Sequence, residues 1–327
     1  MSSIGLAVIG AGYWGPNLVR TAIATPALQL EWLCDLDEKR AQAVLGRYTT
    51  VKATESYDRV LADPAVAAVA IATPVATHFD LVRAALEAGK HVLVEKPPAM
   101  RGEEMDELVL LSGERDLVCM PGHLLLYHPG VQKLKELVGG GELGDVLCVY
   151  GNRQNLGIIR WNENALWSLG VHDLSVILFL LGEEPDEVVA HGRDFLTPGV
   201  EDVVFCYLHF PSGKIAHMHL SWLDPHKMRR LTVVGTEKMV VFDDMELERK
   251  VTVYEKGPWQ RAESYGEWRT RTGDTFSPQV SNAEPLRLEC AHFVRLVQEG
   301  WDGREMRDGL EVVRALELLT GSLRDGD

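Results

Sequence analysis

The stretch IGLAVIGAGYWG at residues 4–15 decides the fold of this chain. Its first six residues are mostly apolar and predict a buried strand, and a helical pattern begins where it ends. Glycines permit a tight turn here, a close approach of the backbone to a ligand, and close packing of the helix on the sheet. Because N–H groups at a helix start face an anion, the loop predicts a dinucleotide pyrophosphate site. The candidate cofactor contacts in this loop are Gly10, Gly12, Tyr13, Trp14 and Gly15.

Asp35 lies 20 residues after Gly15, at the end of the second predicted strand, residues 28–34. A carboxylate at this position accepts hydrogen bonds from the ribose hydroxyls and repels a 2′-phosphate, so it favours NAD over NADP. Lys39 and Arg40, one helical turn further on, either offset that charge or lie on a solvated helix face. We expect Asp35 and Arg40 to be NAD contacts.

Apolar runs and helical patterns alternate over the first 120 residues, with further predicted strands at 67–72, 91–94 and 117–120. Continuous apolar strands are typical of a parallel sheet that helices cover on both faces. We therefore expect an α/β protein whose first domain, residues 1–122, is a doubly wound, dinucleotide-binding parallel sheet.

The pattern changes after about residue 122, where several strands follow one another with short turns between them. Such a succession predicts an α+β domain over residues 123–327, built on a large and mostly antiparallel sheet. The polar stretch 257–282, rich in Gly, Ser and Thr, predicts a long loop. Helical patterns at about 284–299 and 307–324 close the chain and are candidates to pack back on the first domain.

The composition argues against some classes of binding partner and indicates the cellular compartment. The 48 acidic residues outnumber the 33 basic ones, and the formal net charge of −15 argues against nucleic-acid binding. Five widely spaced cysteines without a CxxC pair argue against a disulfide scaffold or structural zinc and predict buried free thiols in a reducing compartment. The chain shows no targeting segment and no apolar run of about 18 residues, so we expect a cytoplasmic protein that does not cross a membrane.

Two more loops follow predicted strands at the sheet edge where open α/β sheets bind their ligands. Thr73, Pro74 and His78 are expected to border the nicotinamide, and the alternative for His78 is a surface position at a helix start. Glu95 and Lys96 follow the strand at 91–94 and belong to the same predicted cofactor site. A lysine here can hydrogen-bond a substrate hydroxyl and stabilise the alkoxide that develops as hydride leaves, although an isolated Glu-Lys-Pro is commonly an exposed turn.

Four motifs follow each other along the chain: GAGYWG at 10–15, AGKHVLVEKP at 88–97, GHLLLYHPGVQKLKELV at 122–138 and His-Asp at 172–173. In this order they resemble the Gfo/Idh/MocA oxidoreductase family over nearly the whole chain. The resemblance implies a Rossmann domain, then a mixed-sheet domain that carries substrate contacts and forms a homodimer or homotetramer. It also implies a nicotinamide-dependent reaction on a sugar, inositol or nucleotide sugar, with Lys96 and His172 as catalytic residues.

His172 lies in LWSLGVHDLSVILFLLG, residues 166–182, an otherwise apolar predicted helix in which a lone histidine is commonly a satisfied core residue. Ser168, on the same helical side, and Gly170 argue instead for a face open to a pocket. An imidazole with an unperturbed pKa near 6.5 accepts a proton at neutral pH, whereas a lysine near 10.4 needs a depression of about three pH units, or about 4 kcal/mol. We therefore expect His172 to be the base and Lys96 the charged hydrogen-bond donor.

One position departs from the family pattern. Many members, the inositol dehydrogenases among them, carry Asp four residues before the histidine, and this chain has Ser168. Asp173 projects about 100° away on a helix and is a poor replacement. The site must therefore use a neutral partner for His172 or another residue, which argues against a free inositol or sugar as substrate.

The segment RQNLGIIRWNENALWSLGVHD, which starts at Arg153, resembles the branch of the family that acts on nucleotide-linked N-acetylhexosamines. This resemblance implies NAD-dependent oxidation of the C3 hydroxyl of UDP-N-acetylglucosamine or a close relative. Arginine forks suit a diphosphate, although a surface loop with incidental arginines and packed tryptophans is the alternative. The candidate substrate contacts are Lys96, Arg153, Asn155, Arg160, Trp161, Asn164, Ser168 and His172.

Three other functions fit the same residues: an NAD(P)H-dependent 3-ketosugar reductase on another nucleotide sugar, an inositol or sugar dehydrogenase, and a non-catalytic NAD sensor. The presence of both Lys96 and His172 argues against the sensor. His217 and His219 share one face of a predicted strand, but no carboxylate has matching spacing. We therefore expect no metal site there, and a sheet face that contacts another subunit.

Overall fold

The computed structural model describes residues 3–46, 48, 50–161, 163–261 and 268–325. Contacts between Cα atoms divide the chain into two compact units. The first runs to Tyr127 and also includes Ala283–Arg314, and the second comprises His128–Asn282 and the residues from Ala315 onward. The change of unit thus comes shortly after residue 122, and part of the C-terminal helical region belongs to the first unit.

The first unit is built on a parallel, six-stranded sheet with the order β3-β2-β1-β4-β5-β6. Its strands are β1 (Ile4–Ile9), β2 (Leu28–Cys34), β3 (Lys52–Thr54), β4 (Ala68–Ile71), β5 (His91–Glu95) and β6 (Cys119–Gly122). The connecting helices are α1 (Gly15–Ala24), α2 (Glu38–Leu45), α3 (Tyr57–Ala62), α4 (His78–Glu87) and α5 (Gly102–Arg115), with short 3₁₀ turns at Val75–Thr77 and Leu124–Tyr127. The prediction of a doubly wound parallel sheet is confirmed.

The local sequence explains these elements. β1 and β4 are buried along almost all of their length, as strands of a parallel sheet covered on both faces are. α2 and α3 begin after Asp37 and Ser56, whose side chains accept the N–H groups of Arg40 and Arg59 and so cap the helix starts. Pro16 occupies the first turn of α1, where its missing N–H costs nothing.

The second unit is built on an eight-stranded sheet with the order β14-β13-β12-β11-β7-β10-β9-β8. Its strands are β7 (Val146–Gln154), β8 (Glu187–Arg193), β9 (Val203–His209), β10 (Ile215–Ser221), β11 (Met228–Gly235), β12 (Met239–Asp243), β13 (Val251–Arg261) and β14 (Trp268–Phe276). β7 and β10 pair in parallel, and the other neighbouring strands pair antiparallel. The prediction of a mostly antiparallel sheet is confirmed.

Two helices of this unit pack against the sheet. α6 (Pro129–Gly139) contacts β12 and β13, and α7 (Val171–Leu181) contacts β7. A π-helical turn, Leu166–Gly170, precedes α7 and contacts β10. Along β9 buried residues alternate with exposed ones, so this part of the sheet has one covered face and one open face.

The chain closes with α8 (Pro285–Glu299) and α9 (Arg304–Asp325). α8 and the part of α9 up to Arg314 belong to the first unit. Leu286 and Phe293 of α8 lie in the same buried apolar cluster as Leu6 and Leu33 of the sheet. No helix in the described ranges is long and apolar enough to cross a membrane. The five cysteines are buried and free, as predicted.

The prediction of a loop over 257–282 is wrong for much of its length. β13 and β14 form an antiparallel hairpin there, although residues 262–267 between them lie outside the described residues. β14 is the edge strand, and its residues 269–276 are almost all exposed. An exposed edge strand needs no apolar alternation, so its polar composition resembles that of a loop. Its threonines and aromatic residues are the strand formers that indicate the true structure.

The core of the second unit gives a test of stability. Trp222 is 1% exposed, whereas Trp161 is 79% exposed. Trp222→Ala should lower the free energy of unfolding by about 3–5 kcal/mol, because it removes buried apolar surface and leaves a cavity. Trp161→Ala is the matched control and should change it by less than about 0.5 kcal/mol. Urea unfolding followed by circular dichroism measures both, and equal losses would contradict this assignment of the core.

Candidate active site

The glycine loop between β1 and α1 has the geometry expected of a dinucleotide site. Gly10 has a φ of +101°, and a Cβ on it would lie 2.6 Å from the carbonyl oxygen of Ala72, just after β4. A Cβ on Gly15 would lie 2.1 Å from Gly10 O, so only glycine lets the helix start so close to the turn. A Cβ on Gly12 would meet no atom within 4 Å, so the backbone there borders open space. The loop therefore forms a cradle that fits a pyrophosphate at the start of α1.

Asp35 joins this loop to the end of β2. Its Oδ2 accepts the Ala11 N–H at 2.7 Å, and its Oδ1 accepts the Asp37 N–H at 2.9 Å. Arg40 Nη1 lies 3.9 Å from Asp35 Oδ1, and Tyr13 in the loop is exposed. Because each carboxylate oxygen can accept more than one hydrogen bond, Asp35 holds the loop and keeps acceptor capacity for ribose hydroxyls.

The loop after β4 is ordered by its own side chains. Thr77 Oγ1 donates to Pro74 O at 2.8 Å and accepts from Thr73 Oγ1 at 2.8 Å. His78 opens α4 and is 2% exposed, so the alternative of a surface position is wrong. Its Nδ1 lies 2.7 Å from Pro97 O and its Nε2 lies 2.9 Å from Thr73 O. Both ring nitrogens thus contact the backbone of the protein, where a direct cofactor contact was expected.

Glu95 and Lys96 stand at the carboxyl end of β5, and the Lys96–Pro97 peptide is cis. Burial raises the pKa of the Glu95 carboxyl to about 7, against the opposing effects of the Lys96 ammonium, the Lys96 backbone N–H and the Trp14 indole. Glu95 therefore changes its charge near neutral pH beside the lysine ammonium.

Two further ionisable residues belong to this neighbourhood, and the sequence patterns did not reveal them. Burial and the nearby Lys96 charge lower the pKa of His123 to about 4, so this imidazole is neutral at physiological pH. Burial and the Glu95 charge raise the pKa of Glu289, in α8, well above its ordinary value. Within the described part of the chain, both ring nitrogens of His123 and Oε1 of Glu289 are buried without a hydrogen-bond partner.

The positions of these two residues do carry a signal in the sequence. Glu289 lies three residues after Leu286 and four before Phe293, which is the spacing of one buried helix side. His123 directly follows β6, at the sheet edge that carries ligand-binding loops. Their ionisation depends on burial among elements distant in sequence, so it could not be predicted.

His172 lies at the start of α7, directly after the π-helical turn, and is partly exposed. A π-turn bonds residues five apart, so residues four and five apart share a side, and Ser168 and His172 stay on one side of the helix. The sequence suggested that Gly170 leaves a helix face open to a pocket, and the structure shows that it does not. A Cβ on it would lie 2.7 Å from Leu220 Cδ1, so the missing side chain lets the turn pack on β10.

Arg153 does not lie free to bind a diphosphate. Its Nε and Nη2 donate to Asp173 Oδ1 at 2.9 and 2.7 Å, and both side chains are buried. A buried ion pair of this kind requires both partners, since either charge alone would be costly. The expected phosphate contact is thus corrected to a structural ion pair between β7 and α7. Asp173 Oδ2 is buried and has no hydrogen-bond partner among the described residues, so Asp173 is not hydrogen-bonded to His172 through this oxygen.

The remaining candidates lie between β7 and α7 and differ in their accessibility. Asn164 is used by the fold, since its Oδ1 accepts the Trp167 N–H at 3.1 Å and so caps the helical region. Arg160 and Trp161 are exposed, so Trp161 does not pack within the unit, and Asn155 is partly exposed. Arg160, Trp161 and Asn155 are therefore the members of this segment that a ligand can reach.

Family models match both parts of the chain. Residues 4–123 match the model described as the oxidoreductase family with an NAD-binding Rossmann fold, and residues 131–241 match the GFO/IDH/MocA C-terminal domain. The chain is 27% identical over 309 residues to scyllo-inositol 2-dehydrogenase (NAD(+)) of Bacillus subtilis, covering 90% of this chain and 86% of the relative. It is 29% identical over 253 residues to UDP-N-acetylglucosamine 3-dehydrogenase of Acidithiobacillus ferrooxidans, covering 76% of each.

Solved structures match over nearly the whole length. The UDP-N-acetylglucosamine 3-dehydrogenase GnnA from Acidithiobacillus ferrooxidans gives a TM-score of 0.85 at 25% identity, over 99% of both chains. GenD2 from gentamicin A biosynthesis, solved in complex with NAD, also gives 0.85, at 26% identity, over 100% of this chain and 96% of that one. With the glycine cradle and the two family models, these matches establish that the chain is an NAD-dependent oxidoreductase and belongs to the Gfo/Idh/MocA family.

Proposed function

We propose that the protein oxidises the C3 hydroxyl of UDP-N-acetylglucosamine, or of a closely related UDP-N-acetylhexosamine, to the 3-keto sugar with NAD as hydride acceptor. The observation that carries this proposal is the match over 99% of both chains to the 3-dehydrogenase GnnA. Ser168, where many family members carry aspartate, supports a substrate other than a free inositol. The buried free thiols support a reducing compartment, the cytoplasm.

Lys96 binds the reacting hydroxyl in this proposal. A cation next to that oxygen stabilises the alkoxide character that develops when the C–H bond breaks. Glu95, once ionised above about pH 7, attracts the ammonium and restrains it. Neutral His123 beside the lysine adds no competing charge. NAD held by the glycine loop and Asp35 would supply the hydride acceptor that the side chains lack.

His172 takes the proton of the same hydroxyl, so the sugar loses one hydride and one proton in total. A positioned base of this kind contributes about 10²–10⁴-fold to the rate. Ser168 on the same helical side is buried and brings no charge at neutral pH, so this position does not supply the carboxylate that many family members have there. Accessible Arg160 and Trp161 suit the diphosphate and the base of the nucleotide. The proposal requires that Lys96 and His172 reach one oxygen atom.

A free inositol is the second candidate substrate. The scyllo-inositol dehydrogenase matches 90% of this chain, compared with 76% for the sequence match to the UDP-sugar enzyme. The two candidates differ in their need for a nucleotide, so a side-by-side assay separates them.

The substrate and the catalytic residues are tested together. With NAD and UDP-N-acetylglucosamine, the purified protein should form NADH, seen by its absorbance while the keto product is trapped, and scyllo-inositol should give far less. Lys96→Ala and His172→Ala should each lower kcat by about 10²–10⁴-fold while the Kd for NAD stays nearly unchanged, because the glycine loop and Asp35 provide the main contacts to the cofactor.

Lys39→Ala, on the exposed face of α2, is the matched control and should keep full activity. NADH formation with inositol alone would replace the proposed substrate. NAD binding without turnover of either compound, and without an effect of Lys96→Ala on binding, would instead favour the sensor.

Asp35 gives a test of cofactor choice. Asp35→Asn keeps an acceptor for the Ala11 N–H but removes the charge that repels a 2′-phosphate. It should weaken NAD binding by about 10–100-fold, the cost of losing charged hydrogen bonds, and raise relative activity with NADP. Asp37→Asn, two residues further along the chain, keeps the cap of α2 and should leave the preference for NAD over NADP unchanged. Calorimetric titration with both cofactors measures this, and an unaltered preference in Asp35→Asn would refute the role.

We also propose that copies of the chain associate as a dimer or tetramer through the open face of the second sheet. Phe205 stacks on His219 with ring centroids 4.3 Å apart, and Tyr150 meets the edge of His217 at 4.5 Å. Burial lowers the pKa of both histidines, so the patch is uncharged at neutral pH. An exposed aromatic patch without charge favours burial against a second copy.

Phe205, 53% exposed, lies in this patch. Phe205→Glu should shift the protein to monomers in light scattering coupled to size exclusion, because two copies of a buried unpaired carboxylate would face each other. Leu247→Glu, in the exposed turn between β12 and β13, is the control and should keep the wild-type mass. A monomeric wild-type protein at micromolar concentration would contradict the association.

A further inference from the structure

His78 is held between two backbone carbonyl groups. It opens α4, is almost completely buried, and has Nδ1 2.7 Å from Pro97 O and Nε2 2.9 Å from Thr73 O. Thr73 belongs to the loop after β4, and Pro97 follows Lys96 in the loop after β5. A single imidazole ring thus spans the two loops at the carboxyl edge of the first sheet.

The chemistry of these two contacts specifies the protonation state of the ring. A carbonyl oxygen accepts hydrogen bonds and never donates them, so each ring nitrogen must carry a proton to bond its partner. A neutral imidazole has one N–H and would turn a lone pair towards the second carbonyl at hydrogen-bond distance. An imidazolium has two N–H groups and satisfies both oxygens with charge-assisted bonds.

We propose that His78 is an imidazolium in the folded protein and acts as a positioning residue that clamps the carbonyls of Thr73 and Pro97. The clamp fixes the segment on which Lys96 stands, so the ammonium is presented in one place. The protonation state stands on the geometry of the ring alone, whereas the catalytic consequence rests on the function proposed above for Lys96.

The ionisable groups around the start of α4 carry charges of both signs. They are carried by α4, by the end of β5 and the segment that follows it, and by α5, which packs against α4, whereas β4 carries none. Carboxyl groups outnumber cations among them, whereas Lys96, the helix start and the burial of the ring oppose a positive charge, so the two carbonyl contacts carry the proposal. These groups are Asp80, Glu95, Lys96, Arg101, Glu103 and Glu104.

The pH dependence has a defined sign. The clamp is complete while the ring is charged, and one of its two bonds is lost once rising pH removes a ring proton. Any stability that the clamp contributes is therefore fully present in acid, where the unfolded chain is protonated as well, and is lost as rising pH removes the ring proton from the folded protein.

Nitrogen-15 NMR of the full chain labelled at histidine tests the protonation state directly. At pH 7.5, both ring nitrogens of His78 should show the shift of a protonated nitrogen, with His78→Phe used to assign the signal. His91 and His128 are internal controls, because their Nδ1 atoms accept backbone N–H groups at 3.0 and 2.9 Å and must be unprotonated. One unprotonated nitrogen on His78, as in these controls, would overturn the proposal.

Steady-state kinetics tests the positioning role. His78→Phe removes both donors and should lower kcat by about 10²-fold, the effect of misplacing a catalytic group, with less than about a threefold change in KM for NAD. His78→Asn keeps one amide donor and should lie between Phe and wild type. His226→Asn, an exposed histidine of the second unit, is the control. An unchanged kcat in both His78 variants would overturn the positioning role. Absence of wild-type turnover would refute the proposed function alone, because the NMR result is independent of activity.

Discussion

The backbone contacts at the carboxyl edge of the parallel sheet are the constraint on which the rest of this molecule depends. Gly10 lies against the carbonyl of Ala72, and Gly15 lies against Gly10, so the ends of β1 and β4 meet with no room for a side chain. Asp35 adds a hydrogen bond from the end of β2 to the Ala11 N–H. Parallel strands bring loops that are distant in sequence to this one edge, and the cofactor cradle is the result.

The electrostatic environment of Lys96 follows from the same edge. Its ammonium acts on Glu95, whose pKa of about 7 makes it sensitive to neutral pH, and on His123, which is neutral. Burial and the Glu95 charge both raise the pKa of Glu289, in α8, so the protonated form of Glu289 is favoured. Charges removed from water act strongly on each other, so a single proton in this group changes the field at the lysine.

Short sequence patterns predict those features of the fold and the site that depend on residues close together in the chain. The glycine loop, the parallel sheet and the place of Lys96 after β5 follow from short motifs, and the structure has all three. Long-range packing decides the rest. The Arg153–Asp173 ion pair, the buried place of His78 and the charge states of His123 and Glu289 depend on neighbours that periodicity does not identify. The hairpin of β13 and β14 was missed because a water-facing edge strand lacks apolar alternation.

The π-helical turn at Leu166–Gly170 and the α-helix that follows it have different roles. After this turn, most residues of α7 are buried and hold the unit together, whereas the wider turn carries Ser168 four residues before the partly exposed His172. An extra residue in a helix shifts the side chains before it without altering the register of those after it. Insertion or loss of one residue in this turn could therefore exchange the group beside the histidine during evolution, and related enzymes could acquire new sugars without rebuilding their hydrophobic interior.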